Sequence, residues 1–417
     1  MRQVLPQRLW SCGIVVWLLL PLAVSAQGLS FEEALHMAAE RAPQLKARVA
    51  SVRGATALQA SAAELPDPKL SVGIDSLPIN GPDRGSLTRD NFTQRQIGWT
   101  QDVPNRAKRA ARNDAALART AREQALLQTE VLAVRRETGL AWLARYFADK
   151  RLQLFDDLIA QQRLLQGTAS TQLAAGKIAP ADVSAIQLEA LALADRRDEL
   201  QREARHAHAA LRRWTGPVDA AGLSGDVPRL QVDRAWLQAN IERSPELAAR
   251  LPLRAMADAD IREAEAAKNG DWSWGIRYGK RGPAYSDFLS VQLTFDWPLA
   301  PETRQQPLVR ARQKELERIE AERDDALLQQ TLALETALSE LGEVNSKLER
   351  LTQQTLPLAK ARSELTLTAY QSGRDKLASV LEARKHQTDI GLRALELRAK
   401  QSALQWRLNS ILAEQAP

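Results

Sequence analysis

One segment of the sequence occurs twice. The run ERAPQLKAR at residues 40–48 returns as ERSPELAAR at residues 242–250, a shift of 202 positions (242 − 40). A second pair of matching runs follows, TQDVP at 100–104 and TFDWP at 294–298. Self-similarity at such a spacing indicates a duplicated structural unit. The chain is therefore predicted to contain two copies of one unit, and its function should depend on what the two copies build together.

Residues 1–26 are predicted to be a secretory signal peptide. Arg2 and Arg8 precede an apolar stretch from Ile14 to Val24, and small residues follow it, which is the arrangement of a cleaved export signal. The one cysteine, Cys12, lies before the apolar stretch rather than after it. We therefore expect no lipid anchor, and neither a disulfide nor a thiolate metal site in the mature chain.

The charge balance does not indicate a nucleic-acid partner. The chain has 57 Lys and Arg against 51 Asp and Glu, and so small an excess is typical of a mixed-charge, solvated surface. No apolar run of 18 residues follows the signal peptide, so no transmembrane helix is expected. Any membrane crossing would have to be made by β-strands.

Most of the mature sequence is predicted to be helical, because it is rich in Ala, Leu, Gln, Glu and Arg. The segment from Arg106 to Gln166 contains no proline and would form a helix about 90 Å long. Its counterpart runs from about Gln306 to Ala369, where Leu, Thr and Asn recur in steps of four and three, the seam of a coiled coil. Each long helix is predicted to end near a glycine, Gly176 or Gly373, after which a second helix returns.

These patterns divide the chain into a first repeat, a linker and a second repeat. The first repeat is predicted to span residues 27–214 and the second residues 233–417. The segment between them, 215–232, contains Gly216-Pro217 and Val227-Pro228, which are typical of a linker.

Four short segments depart from the helical pattern and predict β-strands, at about 69–79, 92–103, 271–279 and 287–297. Apolar and polar residues alternate in each, so one face of each strand is apolar. Strands of about ten residues, with aromatic residues near their ends, can span a bilayer. The side chains predicted to face lipid are Ile97, Trp99, Trp272, Trp274, Tyr278, Val291, Leu293, Phe295 and Trp297. Pro104 and Pro298 are predicted to mark the junctions between strand and helix.

The same alternation would also suit a soluble sheet packed on helices. Export and the length of the helices favour the membrane interpretation. Four strands cannot close a barrel, and an open strand edge is not tolerated inside lipid. In a membrane, several protomers would therefore have to complete the barrel together.

The two αββα repeats, each with a long helical hairpin, resemble the TolC family of outer-membrane efflux channels over the whole mature chain. The runs LPDPKL at 65–70, LPING at 77–81 and QDVPNRAKR at 101–109 resemble a narrower group, the outer-membrane component of heavy-metal (cobalt–zinc–cadmium type, CzcC-like) resistance systems. The resemblance implies a mainly α fold with a small β part. In it, long coiled-coil hairpins form a periplasmic α-barrel, and four strands per protomer contribute to a 12-stranded transmembrane β-barrel in a homotrimer.

The same resemblance implies a function. The protein would be a passive exit duct in the bacterial outer membrane, surrounded by outer-membrane lipid, with most of the chain in the periplasm. A periplasmic membrane-fusion adaptor would connect it to an inner-membrane, proton-driven pump of the resistance–nodulation–division (RND) class. The narrower resemblance implies divalent heavy-metal cations as the cargo of the tripartite pump. A drug or organic-compound pump is the alternative, and an exported coiled-coil scaffold or adaptor without a barrel is a further one.

The resemblance also places the periplasmic tip at the two hairpin turns. Asp182 and Tyr370 occupy positions that help to hold the tip shut in the family, and Glu382 would supply one acidic ring. The residues expected at the tip, for gating and adaptor docking, are Gly176, Lys177, Asp182, Tyr370, Gly373, Arg374, Asp375 and Glu382. From the residues alone, the two glycines are also what any helical hairpin needs, and Asp182 is equally a helix N-cap.

No motif in the sequence indicates catalysis. His206 and His208 are two positions apart on a predicted helix and do not share a face. The sequence has no nucleotide-binding glycine loop, HExxH motif or nucleophile elbow. The protein is therefore predicted not to be an enzyme, and to have no cofactor and no metal site of its own.

Overall fold

The structure is a computed structural model that describes residues 28–176, 178–217 and 222–412. The predicted signal peptide lies outside the described residues, as does Lys177. The first half contains α1 (Phe31–Arg41), α2 (Pro43–Ala62), β1 (Lys69–Asp75), β2 (Gln94–Val103), α3 (Arg106–Ala174) and α4 (Pro180–Thr215). The second half contains α5 (Arg234–Asn240), α6 (Pro245–Ala248), α7 (Leu251–Ala266), β3 (Trp272–Lys280), β4 (Phe288–Phe295), α8 (Pro301–Arg350), α9 (Leu356–Gln371) and α10 (Leu377–Asn409).

The four strands form one antiparallel sheet in the order β1-β2-β3-β4. The central pair joins the two predicted repeats, since β2 lies in the first and β3 in the second, with Trp99 opposite Ile276. β1 is shorter than predicted because Ser76 adopts a left-handed conformation, φ 57°, which ends the extended backbone. The loop that follows returns to β2 only at Gln94.

The two long helices differ. α3 runs for 69 residues without interruption, about 100 Å at 1.5 Å per residue. The predicted helix from about Gln306 to Ala369 is present within a helical stretch from Pro301 to Gln371, but a π-helical turn at Leu351–Thr355 separates α8 from α9. Pro357 lies in the first turn of α9 and has no N–H to donate to the preceding turn. A single wide turn is how a helix accommodates such a loss while it continues.

The deepest packing joins the start of the chain to its last helix. Trp142 on α3 and Trp406 on α10 are both almost fully buried, and Phe31 on α1 contacts each ring edge-on at 5.3 and 5.0 Å between centroids. Both indole N–H groups donate to backbone carbonyls, that of Trp142 to Leu29 at 3.1 Å and that of Trp406 to Arg136 at 2.8 Å. Buried indoles need such acceptors, so this cluster fixes α1, α3 and α10 relative to one another.

Gly139 makes this packing possible. It lies inside α3, and a Cβ added there would be 2.4 Å from the Trp406 ring. The glycine therefore lets the indole lie directly against the helix backbone, next to the carbonyl of Arg136 that accepts its N–H.

We predict that Gly139→Ala destabilises the protein by about 1–3 kcal/mol, because the indole must move away from its acceptor. Denaturant unfolding of the detergent-solubilised protein measures the change. Gly54→Ala is the matched control, since a Cβ at this helical position meets nothing within 4 Å. It should leave stability unchanged or raise it by up to about 1 kcal/mol. Equal effects of the two substitutions would contradict the packing argument.

Candidate functional site: the sheet and the hairpin tips

The sheet has one apolar and one polar face. The strand register places apolar side chains opposite one another in rows across the four strands, such as Val72, Ile97, Tyr278 and Leu289. The apolar face includes Leu70, Val72, Ile74, Ile97, Trp99, Trp272, Trp274, Ile276, Tyr278, Leu289, Val291, Leu293 and Phe295. Val72, Leu289 and Val291 are 78%, 71% and 70% exposed, so none of the described helices covers this face.

All nine side chains predicted to face lipid lie on this face or directly beyond it. Eight are exposed, and Trp274 is half-buried. Trp297 is 80% exposed and follows the end of β4. Aromatic residues cluster at the end of the sheet where the helices begin, with the rings of Trp272 and Phe295 stacked at 6.4 Å.

The opposite face carries small and polar residues. Ser71, Gly98, Arg277 and Ser290 form one row across the sheet. On the same face of β1 and β2, the Lys69 ammonium group lies 2.6 Å from the Asp102 carboxylate. Gln96 donates a hydrogen bond to Asp75 at 3.0 Å, so this face offers a hydrated surface of both charges. None of the described helices is long and apolar enough to cross a membrane.

A polar network fixes the sheet to the helices. The carboxylate of Asp271, just before β3, accepts a hydrogen bond from the Asn105 N–H at 2.9 Å and lies 2.9 Å from the Lys108 ammonium group. The Asn105 side chain also accepts from Lys108 N at 2.8 Å, which caps α3. Pro104 directly precedes this cap, and Pro298 lies between β4 and α8 at the other junction.

Sequence reasoning did not identify Asp271 and Asn105 as partners. They are 166 positions apart, and the N-cap position of Asn105 was the one available signal. Burial alone raises the pKa of Asp271, but the hydrogen bonds from Asn105 and Lys108 and the charge of Lys108 outweigh it, so the net effect lowers the pKa.

We predict that Asp271→Asn lowers the free energy of unfolding by about 1–3 kcal/mol at neutral pH, because a charge-assisted network is lost. The folded-state pKa lies below the ordinary 3.8. The stabilisation by ionised Asp271 is therefore complete above pH 3.8, the ordinary pKa, and disappears as the pH falls through the lowered pKa of the folded state. Denaturant unfolding as a function of pH measures both effects. Asp67→Asn, an exposed loop carboxylate, should change neither; equal acid sensitivity of the two variants would contradict the assignment.

At the other end of the long helices, the two hairpins contact each other. Gly176 and Gly373 end the outgoing helices with φ of 68° and 71°, a conformation that glycine adopts without steric cost. Ile186 on α4 and Leu377 on α10 are buried together, and Tyr370 on α9 packs against them. The predicted tip residue Tyr370 therefore belongs to the apolar contact between the hairpins.

The charged tip residues have local roles. Asp182 is not the N-cap of α4: Ala179 holds that position, and its N–H donates to the Asp182 carboxylate at 2.9 Å. Asp375 accepts from the Ser379 hydroxyl at 2.8 Å and from the Lys376 N–H at 2.7 Å, and these hydrogen bonds lower its pKa.

Glu382 and Asp182 line one groove between α4 and α10, beside Lys385. Lys385 also pairs with Glu189 across this groove at 3.2 Å. Arg374 lies exposed in the second hairpin turn.

The described residues contain no group of three or more side chains able to hold a metal ion. His208 instead contacts Asp149 at 2.8 Å, which ties α4 to α3.

No family model and no curated relative matches the sequence, but solved structures match the fold. CusC, solved in a study of folding and transmembrane channel formation, shares 14% identity over 92% of both chains with a TM-score of 0.75. The outer-membrane channel CmeC of Campylobacter jejuni shares 12% over 91% of this chain and 85% of its own, with a TM-score of 0.75. The MtrE outer-membrane channel of Neisseria gonorrhoeae, in its open state, shares 14% over 93% and 92%, with a TM-score of 0.73.

This chain has the fold of those channels. The agreement confirms the predicted fold class, which is mainly helical with one small four-stranded sheet in this chain. The structural neighbours are channel proteins rather than enzymes: CmeC and MtrE are outer-membrane channels, and CusC forms a transmembrane channel.

Proposed function

We propose that this protein is the outer-membrane exit duct of a tripartite efflux pump. The observation that carries the proposal is the sheet, whose apolar face is exposed and whose other face is polar, at one end of helices about 100 Å long. A face of this kind needs an apolar solvent, and lipid is the one available to an exported sheet. The polar face then lines the pore, and the helices continue the duct into the periplasm.

The open edges of β1 and β4 support a homotrimer. Backbone groups at a strand edge require partners in lipid, and the edge of β4 in one protomer can pair with β1 of the next. Three sheets of four strands give a closed barrel of 12 strands, within the range that membrane barrels use. The two repeats, 27–214 and 233–417, would each supply two strands and one hairpin, and residues 215–232 would link them.

We assign the hairpin tips to gating and to docking of a periplasmic membrane-fusion adaptor. The apolar contact of Ile186, Leu377 and Tyr370 would hold the two hairpins together in the closed state. The groove lined by Asp182 and Glu382 is suited to an adaptor helix. The adaptor in turn would connect the duct to an inner-membrane RND pump.

For the cargo we propose divalent heavy-metal cations, on the strand and loop runs at 65–70, 77–81 and 101–109. These runs lie at the sheet and touch no metal, so they identify the type of system rather than a binding site. The chain would be exported by its signal peptide, cleaved near residue 26 and not lipidated.

Two experiments test the proposed cargo and the proposed channel. The first is deletion of the gene in its own host. Sensitivity to zinc, cobalt or cadmium should increase, and the intact gene should restore tolerance. Greater sensitivity to organic compounds with unchanged metal tolerance would assign a drug-type pump instead. The purified protein should come from the outer-membrane fraction as a detergent-requiring trimer and conduct ions in planar bilayers. Release with the periplasmic contents would contradict the channel itself and favour a soluble scaffold.

We predict that Ile186→Ala raises the conductance of the reconstituted trimer, because it removes a buried contact between the hairpins. Such a deletion costs about 2–5 kcal/mol in a well-packed core, which shifts the tip toward open states. Leu188→Ala on the same helix is the matched control, since Leu188 is 69% exposed. If both variants conduct alike, the contact of Ile186 does not hold the channel closed.

A further inference from the structure

Two basic residues interrupt the apolar face at its loop end. Arg95 on β2 lies directly opposite both Ile74 on β1 and Lys280 on β3. Because opposite residues of antiparallel strands share a face, Arg95 and Lys280 lie on the apolar side of the sheet. The next row inward on this side is Val72, Ile97, Tyr278 and Leu289, so a basic pair borders a continuous apolar surface.

The two cations lie opposite each other without a direct ion pair among the described residues, although the charge of Lys280 also acts on the neighbouring carboxylate of Asp287. Like charges directly opposite each other destabilise a sheet, and both side chains are exposed. Among the residues that the structure describes, neither is part of an ion pair; the Arg95 guanidinium donates only to the carbonyl of Arg281, at 3.4 Å. The carboxylate in this corner, Asp287, accepts hydrogen bonds from the Tyr278 hydroxyl and the Arg281 N–H.

The neighbouring Arg281 is already committed to the loops. Its guanidinium donates to the carbonyls of Ser286 at 2.7 Å and Asn91 at 3.0 Å, and lies 4.2 Å from the centre of the Phe288 ring. It thus holds the β1–β2 and β3–β4 loops together. Arg95 and Lys280 have no comparable structural task.

The position of the pair in the proposed channel identifies its ligand. The helices leave the sheet at the opposite end, so under the proposed function the loop end lies in the outer leaflet. There an apolar surface meets acyl chains and its border meets lipid headgroups. β2 and β3 are the inner strands of the sheet, so closure of the barrel through β1 and β4 leaves the pair uncovered.

We propose that Arg95 and Lys280 bind the phosphate group of a phosphorylated lipid in the outer leaflet, with the acyl chains along Val72, Ile97 and Tyr278. A guanidinium matches two phosphate oxygens at once, and an ammonium group adds a second cation. One phosphate between the two side chains also removes the repulsion between them. The inference rests on the proposed function, because only a membrane-embedded sheet meets such a lipid.

Native mass spectrometry of the purified trimer in detergent, titrated with diphosphoryl lipid A, tests the proposal. The Arg95→Gln/Lys280→Gln variant should bind this lipid roughly thirtyfold more weakly than the wild type, from the loss of two basic contacts near a membrane surface. Arg277→Gln is the matched control: it removes a basic residue of the same sheet from the polar face, and binding should stay unchanged. Fully dephosphorylated lipid A should bind the wild type no better than it binds the double variant.

Three results would overturn the proposal: unchanged lipid A affinity of the double variant, equal losses in the double variant and Arg277→Gln, or inorganic phosphate competing as effectively as the lipid. If the double variant does not fold, the Lys280→Glu variant tests the lipid site instead. It places opposite charges across the two strands, so the melting temperature in lipid-free detergent should not fall while lipid affinity does. Retained affinity in that variant would count against the site.

Failure of this inference and failure of the proposed function give different results. If the protein is a conducting outer-membrane trimer but its affinity for lipid A does not depend on Arg95 and Lys280, only the lipid site is refuted. A wild-type protein that is released with the periplasmic contents refutes the channel, and the lipid site with it.

Discussion

The pairing of β2 with β3 is the interaction on which the rest of the structure depends. Among the described strands, it is the one ladder that joins the two predicted repeats, from Arg95 opposite Lys280 to Val103 opposite Trp272. Without it, each repeat would have a two-stranded hairpin, which is marginally stable at best. With it, the strands give a single sheet with consistent faces, because side chains alternate with a period of two. The register also keeps apolar residues opposite one another in the central rows, such as the row of Val72, Ile97, Tyr278 and Leu289.

The junction beneath the sheet follows from this pairing. Since β2 and β3 are neighbours, the start of α3 after β2 lies beside the residue that precedes β3. Asn105 and Asp271 can therefore bond although they belong to different repeats. The Lys108 ammonium group completes the network and compensates the partly buried carboxylate. The sheet and the long helices are thus joined by a defined polar contact, rather than by a flexible connection.

The sequence allowed good prediction where a pattern is local and periodic, and poor prediction where a contact is distant. Alternation in 288–297 and in 271–279 was sufficient to assign strands and their apolar faces, including Trp272 and Phe295. The absence of proline between Arg106 and Gln166 was sufficient for a long helix. The π-helical turn before Pro357 was not predicted, because the coiled-coil pattern of Leu, Thr and Asn indicates a helix there but not a local change from α-helical to π-helical hydrogen bonding. The partner of Asp271 and the place of Gly139 against Trp406 depend on tertiary packing that no local pattern encodes.

The two hairpins belong to the two predicted repeats, yet their outgoing helices differ. α3 is continuous, and its middle is fixed by the buried indoles of Trp142 and Trp406. The outgoing helix of the second hairpin instead changes its hydrogen-bond pattern at Leu351–Thr355, between the core and the tip. A helix bends more readily at such a turn than within a regular α-helical segment. The tip contact of Ile186 with Leu377 and Tyr370 therefore joins a hairpin whose outgoing helix is a regular α-helix to one whose outgoing helix contains a π-helical turn. If that contact opens, we expect the second hairpin to move more than the first, because kinks in long helices occur at such turns.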